Sequence, residues 1–287
     1  MSWVIKIENL TKDFRTGFRL QKIRAIENLN LEIEAREIFG FLGPNGAGKT
    51  TAIKILVGLS KPTSGSASVL GRPSTDVAIK KQIGFLPESP YFYEYLNAHE
   101  YLKLCAEVSG LERNRHQQQI EKLLNLVRLD RFAKIPIKGF SRGMLQRLGV
   151  AQALVHDPEL VILDEPMGGL DPIGRREFRD IIMNLKTQGK TVFFSTHILA
   201  DVEMICDRVG IILNGKLINT GRLDEILSAE IESFEILVKG LDHKMVRTVE
   251  RLFDKVVVRD EKVFIEVKTE EEVEKVMSII REANAKL

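Results

Sequence analysis

Neither sign of charge dominates this chain of 287 residues: 42 Lys plus Arg stand against 40 Asp plus Glu, a formal net charge of +2. A balance this even removes any composition-level case for nucleic acid or an anionic membrane surface as the ligand. Cysteine is scarce. Cys105 and Cys206 lie far apart and in no metal-ligand spacing, which suits a reducing cytoplasm. Long apolar runs are missing too: none approaches the ~18–20 residues of a spanning helix, and no signal peptide opens the chain. The expectation is a protein soluble on its own that acts at a membrane only through something else. With 44% hydrophobic and 29% charged residues, the composition is that of a globular protein long enough for one large domain or two.

The stretch Gly43-Pro44-Asn45-Gly46-Ala47-Gly48-Lys49-Thr50-Thr51 fits G-x-x-x-x-G-K-[ST], the phosphate-cradling loop. Glu37 to Leu42 before it is apolar and strand-like, and Thr51 to Gly58 after it predicts a helix closed by glycine. Glycines let the backbone turn at positive φ and bring its N–H groups close to phosphate oxygens. The helix that follows points its free N–H groups and positive dipole end at the same anion. Lys49 adds a point charge for the β and γ phosphates, and the Thr50 hydroxyl can ligate Mg²⁺. A glycine-rich turn with a surface lysine is the plainer alternative.

Upstream, Val4 to Leu10 alternates as a half-buried strand does, a basic connector runs from Arg15 to Arg24, and Leu29, Leu31 and Ile33 alternate again. Phe14 can stack on a nucleobase; Phe18 competes for that role, and a core phenylalanine is the other reading. Downstream, Ser66 to Leu70 predicts a short strand, and the apolar run Ile83 to Pro87 ends at Glu88. Asn97-Ala98-His99-Glu100 is a capping-box pattern, and Ile120, Leu123, Leu124 and Val127 recur at helical spacing. Residues from about 90 to 155 therefore read as a helical insertion in an α/β domain. Ser141 caps the helix that closes it. Leu160 to Leu163 predicts a buried strand ending in Asp164-Glu165-Pro166. Asp at that place fits the Mg²⁺-side carboxylate of a P-loop enzyme, and Glu165 can orient or deprotonate an attacking water. Two surface carboxylates in an ion-pair cluster are the alternative. A further strand, Thr191 to Ser195, has His197 just past its end. Gly43, Asp164 and His197 thus stand at the carboxyl ends of three strands, the ligand edge of an open parallel sheet.

With these motifs in this order, residues 2 to 225 resemble the nucleotide-binding subunit of an ABC transporter. Gly43–Thr51 stands at Walker A, Leu160–Asp164 at Walker B, and Glu165 at the catalytic glutamate. Ser141-Arg142-Gly143-Met144 stands at the signature loop, Gly168-Gly169-Leu170-Asp171 at the D-loop, His197 at the switch histidine and Phe14 at the A-loop aromatic. Two places depart from the pattern. Glu88 stands where the family usually has Gln, and Arg142 and Met144 replace the first Gly and the Gln of Ser-Gly-Gly-Gln.

The resemblance implies an α/β P-loop NTPase fold of the ABC type over residues 1–228, with a mixed sheet core, an antiparallel β subdomain and a helical subdomain. It implies ATP and Mg²⁺ as ligands and ATP hydrolysis as the reaction. It implies a head-to-tail dimer, with itself or with a second ATPase subunit. There Ser141, Arg142, Gly143, Met144 and Asp171 of one copy complete the nucleotide site on Gly43, Pro44, Asn45, Gly46, Ala47, Gly48, Lys49, Thr50, Thr51 and Phe14 of the other. Glu165, His197 and Glu88 are then the catalytic groups, and Thr50, Asp164 and Glu88 the metal ligands. An integral-membrane permease is the implied partner, which would hold the chain on the cytoplasmic face of the membrane with no insertion of its own and no nucleic acid. The aromatic run Tyr91-Phe92-Tyr93-Glu94-Tyr95-Leu96 beside Glu88 is the predicted docking surface, since exposed aromatics suit an interface; core packing is the other reading.

Arg208 to Thr220 reads as a β-hairpin turned at Asn214-Gly215, and Arg222 to Leu227 as a short helix. Residues 229–287 then show a β-α-β-β-α order, an accessory α+β domain one strand short of a ferredoxin-like unit. The stop at Ala285-Lys286-Leu287 raises the expectation that the native chain continues. Among competing functions, a GTPase finds its D-x-x-G at Asp171-Pro172-Ile173-Gly174 but lacks an Asn-Lys-x-Asp base-reading motif. A soluble ABC ATPase of repair or translation would carry two cassettes or a coiled-coil insertion. A nucleotide-binding regulator of low turnover stays open because of Glu88, Arg142 and Met144.

Overall fold

The computed structural model describes residues 3–16, 21–228, 234–241, 243–253, 255–259, 262–267 and 269–283. Phe18 and Ala285-Lys286-Leu287, on which two of the expectations above fall, lie outside the described residues. The chain divides into two compact units, Met1–Ile226 and Leu227–Leu287.

The first unit opens with two antiparallel strands, β1 (Ile5–Thr16) and β2 (Gln21–Ile33). Apolar alternation stops at Leu10, yet β1 continues through Phe14, into the stretch that reads from sequence as a basic connector. Its outer half pairs through charge: Asp13 lies 2.9 Å from both Arg24 and Lys22. Asn9 and Asn28, each at φ 48°, mark bulges that shift the register. After β3 (Ile38–Leu42) and α1 (Lys49–Leu56), strands β4 (Ser64–Val69) and β5 (Arg72–Pro73) extend the pair into a four-stranded sheet of order β2-β1-β4-β5.

Strand β6 (Ile83–Leu86) joins the same sheet as β3, and three helices follow: α2 (Ala98–Val108), α3 (Arg113–Leu126) and α4 (Arg142–Ala153). Asn97 and Glu100 make both bonds of the capping box at the start of α2. The chain then runs through β7 (Leu160–Leu163), α5 (Pro172–Thr187), β8 (Thr191–Thr196), α6 (Leu199–Ile205), β9 (Arg208–Leu213), β10 (Lys216–Gly221) and α7 (Leu223–Ser228). Six strands form the main sheet in the order β10-β9-β3-β8-β7-β6, all parallel except β10.

Alternation along its central strands feeds two cores. Phe39, Phe41, Ile162 and Phe193 pack with α1 and the antiparallel sheet, whereas Ile38, Val161, Val192 and Phe194 pack with α4 and α5. Phe39 and Phe193 stack at 5.9 Å between ring centroids. Each such fully buried aromatic contributes about 1.5–3 kcal/mol over leaving it in water. This sheet, buried on both faces, rigidly fixes the strand ends that carry the site.

The second unit contains β11 (Phe234–Lys239), α8 (His243–Leu252), β12 (Lys255–Arg259), β13 (Lys262–Val267) and α9 (Glu270–Ala283). Its antiparallel sheet has the order β11-β13-β12, over a core that includes Val238, Val249, Ile265 and Val276. Among the described residues, no helix is long and apolar enough to cross a membrane.

Candidate active site

Strand β3 delivers the glycine-rich loop, and the Gly43 N–H donates to the Thr196 carbonyl at 3.1 Å, tying the loop to the end of β8. Gly48 is the N-cap of α1 at φ 107° and makes no side-chain cap bond. The first-turn N–H groups of α1 are therefore open to an anion. A Cβ at Gly48 would stand 2.5 Å from the Ala25 carbonyl oxygen, so only glycine fits. Lys49 is buried. Its Nζ donates to the carbonyls of Gly43 (2.6 Å) and Pro44 (3.1 Å) and lies 3.0 Å from Glu165 Oε1.

Strand β7 delivers the two carboxylates, both buried. Asp164 Oδ1 accepts hydrogen bonds from Thr50 Oγ1 at 3.2 Å and Ser195 Oγ at 2.7 Å. Glu165 sits at φ 47°, a left-handed conformation that costs a non-glycine residue roughly 1–2 kcal/mol and is found where surrounding contacts enforce it. Those contacts are visible: its N–H donates to Ser195 Oγ (2.9 Å), Oε1 faces Lys49 and Oε2 lies 2.9 Å from His197 Nδ1. Ser195 and His197, at the end of β8, thus bracket the Glu165 residue from backbone and side chain.

Lys49, Thr50 and Glu165 line a cavity of about 270 Å³ whose walls also include Ala25, Asn45, Gly46 and Glu88; Asp164, Ser195 and His197 are not in the wall but hydrogen-bond to Thr50 or Glu165. Glu88 enters from the segment after β6, and its carbonyl accepts from Gln146 Nε2 on α4 at 3.4 Å. Phe14 is not part of the wall; its ring is 41% exposed and carries Lys12 Nζ 5.0 Å above it.

The signature and D-loop positions meet at a second depression of about 360 Å³, which shares no residue with the first. Ser141, Arg142, Gly143 and Asp171 line it; Met144 does not. Ser141 caps α4 by accepting from the Met144 N–H, and Asp171 caps α5 by accepting from the Gly174 N–H at 2.7 Å. The Arg142 guanidinium packs onto Gly169, where a Cβ would stand 2.4 Å from its Cζ and push the flexible arginine aside. Buried Asp201 on α6 lies 3.9 Å from Arg175 and 3.7 Å from Arg179 on α5. Burial raises its carboxyl above the usual carboxylate range, and the two arginines oppose that shift. Arg175 in turn donates to the Leu170 carbonyl at 3.2 Å, so the helix after His197 and the segment before Asp171 share a partly buried charge cluster.

The sequence-predicted residues thus fall into two groups. Lys49, Thr50, Glu165 and Glu88 line one cavity, with Asp164 and His197 bonded to Thr50 and Glu165, and Ser141, Arg142, Gly143 and Asp171 line the other. Ser195, Asp201 and Ala25 were not singled out from sequence. Ser195 had a usable signal, a polar residue closing an apolar strand two positions before His197. Ala25 had none.

The family model described as ABC transporter matches residues 26–168. An uncharacterized ABC transporter ATP-binding protein of Synechocystis sp. (strain ATCC 27184 / PCC 6803 / Kazusa) is 45% identical over 240 residues, covering 83% of this chain and 68% of its own length. The bacitracin transport ATP-binding protein BcrA of Bacillus licheniformis is 40% identical over 257 residues, covering 88% of this chain and 81% of its own. Among solved structures, the dimeric post-hydrolysis state of the ATP-binding cassette MJ0796 bound to ADP and Pi superimposes with a TM-score of 0.69 at 26% identity, over 76% of this chain and 98% of that one. Fold and site together define an ATP-binding cassette. The chain belongs to the ATP-binding subunits of ABC transporters.

Proposed function

We propose that this subunit hydrolyses ATP as a dimer and drives transport through a separate membrane permease. One observation carries the reading: the Glu165 carboxylate is held between Lys49 Nζ and His197 Nδ1, at 3.0 and 2.9 Å, on the wall of the phosphate-loop cavity. Among the described residues, the partners of the Lys49 ammonium are the loop carbonyls of Gly43 and Pro44 and this carboxylate. A nucleotide's phosphates would compete for the ammonium and release Glu165 to face water. Glu165 then takes a proton from the water that attacks the γ-phosphorus in line, while the bond to the β–γ bridging oxygen breaks and ADP leaves. His197 orients the carboxylate through Nδ1.

Thr50 Oγ1 and Asp164 Oδ1, 3.2 Å apart, fit Mg²⁺: two hard oxygens, with phosphates and water filling the remaining positions. Bound there, the ion would offset charge on the β and γ phosphates; Glu88 adds a carboxylate to Glu165 at the cavity wall. Ser141, Arg142, Gly143 and Asp171 line a separate depression, which supports their use by a second copy rather than by their own phosphate loop. Within the run from Tyr91 to Leu96, Phe92 is buried against Tyr101 as a core residue, whereas Tyr91 and Tyr95, 86% and 77% exposed, support permease docking beside Glu88 and hence a place at the cytoplasmic face of a membrane. On this reading residues 1–228 are the cassette and 229–287 a ferredoxin-like accessory domain.

The test is ATP turnover of wild type against Glu165→Gln. Loss of a general base typically costs about 10²–10⁴-fold. Equal, slow turnover of the two would leave a nucleotide-binding regulator instead.

A further inference from the structure

The tip of the β9–β10 hairpin touches the phosphate loop. Asn214 and Gly215 take φ values of 49° and 80°, the two left-handed positions of a type I′ turn. The Gly215 N–H donates to the Ala47 carbonyl at 3.0 Å, and the Gly215 carbonyl accepts from the Glu27 N–H at 2.8 Å. Lys216 lies 3.4 Å from the Glu27 carboxylate on the same side. A Cβ on Gly215 would stand 2.8 Å from the Ala25 oxygen, 3.1 Å from its carbonyl carbon and 3.2 Å from Ile26 Cα. That Ala25 oxygen is also the atom that bars a Cβ from Gly48, and Ala25 lines the cavity. Strand β2, the phosphate loop and the hairpin tip therefore converge where only glycine fits.

We infer that Gly215 is a positioning residue for nucleotide binding. The reason is the planarity of the peptide. The Ala47 carbonyl and the Gly48 N–H belong to one trans unit and point in opposite directions. Holding that carbonyl outward on Gly215 aims the Gly48 N–H toward the phosphate side before any ligand arrives. The same contact fixes Ala25 as the wall of the cavity. Gly215 touches no ligand itself. The inference rests on the nucleotide occupying this cavity.

Gly71 provides the control. It closes the β4–β5 turn after Leu70, at φ 74° and 51° respectively, but a Cβ there would meet nothing within 4 Å. Alanine at either glycine suffers the same backbone strain, and only at Gly215 does it collide. Equilibrium titration with a fluorescent ATP analogue is expected to show Kd raised about fivefold to tenfold in Gly215→Ala, the loss of one net hydrogen bond. Gly71→Ala should bind like wild type. In the absence of nucleotide, amide exchange over Ala47 to Thr51 should quicken in Gly215→Ala alone. Should that variant not fold, Asn214→Val loosens the tip without meeting Ala25 and should raise Kd in the same direction. Wild-type affinity in these tip variants, or equal weakening by Gly71→Ala, overturns the inference. Failure of wild type itself to bind the analogue overturns the nucleotide reading, and this inference with it.

Discussion

Replacing Ser195 by alanine removes one hydroxyl that serves both carboxylates. Its Oγ accepts from the Glu165 N–H at 2.9 Å and donates to Asp164 Oδ1 at 2.7 Å, and the residue is fully buried. Asp164 keeps Thr50 as a partner. The Glu165 N–H has no such substitute, and it belongs to a residue already held at φ 47°. A buried donor left without an acceptor costs about 1–3 kcal/mol. Taking ~2 kcal/mol, the melting temperature should fall by about 4–8 °C for a unit of ~150–250 residues. With that anchor gone, the Glu165 backbone can relax toward an ordinary conformation and carry its carboxylate away from the water it activates; a ~1 Å displacement costs on the order of 10²-fold in rate. Ser195 does not line the cavity, so ATP affinity should hold. Steady-state ATPase kinetics, nucleotide titration and thermal melting together decide it. Wild-type melting and turnover would refute the reasoning, and so would an affinity loss as large as the loss of kcat.

Two further predictions concern packing and charge. Gly84 in β6 faces the Ala153 carbonyl and the Pro158 ring so closely that a Cβ would overlap backbone; Gly84→Ala should destabilise by about 1–3 kcal/mol, and an unchanged denaturation midpoint would contradict that. For Asp201, burial raises the carboxyl pKa in the folded protein, so the native state holds this proton more tightly than the unfolded chain does. Its contribution to stability is fully present below the ordinary carboxyl range, about pH 4, and is lost as pH rises through the raised value. Melting curves from about pH 4 to pH 7 should therefore show wild type losing stability relative to Asp201→Asn; the opposite trend would mean that Arg175 and Arg179 outweigh burial.

Local chemistry made parts of this molecule readable in advance. Asn97 and Glu100 form a capping box because three residues of helix bring them together. Asn214-Gly215 turns as type I′ because few other pairs tolerate two left-handed positions. Leu160 to Leu163 reads as a strand because an apolar run of that length between turn signals is buried on both faces. The outer halves of β1 and β2 were hidden for the converse reason. Their residues are mostly polar, and pairing there sets Asp13 against Arg24 and Lys22 across the strands. The same strand pairing leaves Phe14 exposed and off the cavity wall, which no spacing in the sequence discloses.

By itself, then, the sequence determined the phosphate loop, the strand-end carboxylates, the capped helices and the family, since each depends on residues within a few positions of one another or on their order along the chain. Only the tertiary structure decided that Glu165 lies between Lys49 and His197, that Ser195 holds its backbone in a left-handed turn, and that the hairpin tip at Gly215 braces Ala47. Those contacts join segments brought side by side by the parallel sheet and the strands packed against it, and their distances are set by packing that no single stretch of chain encodes.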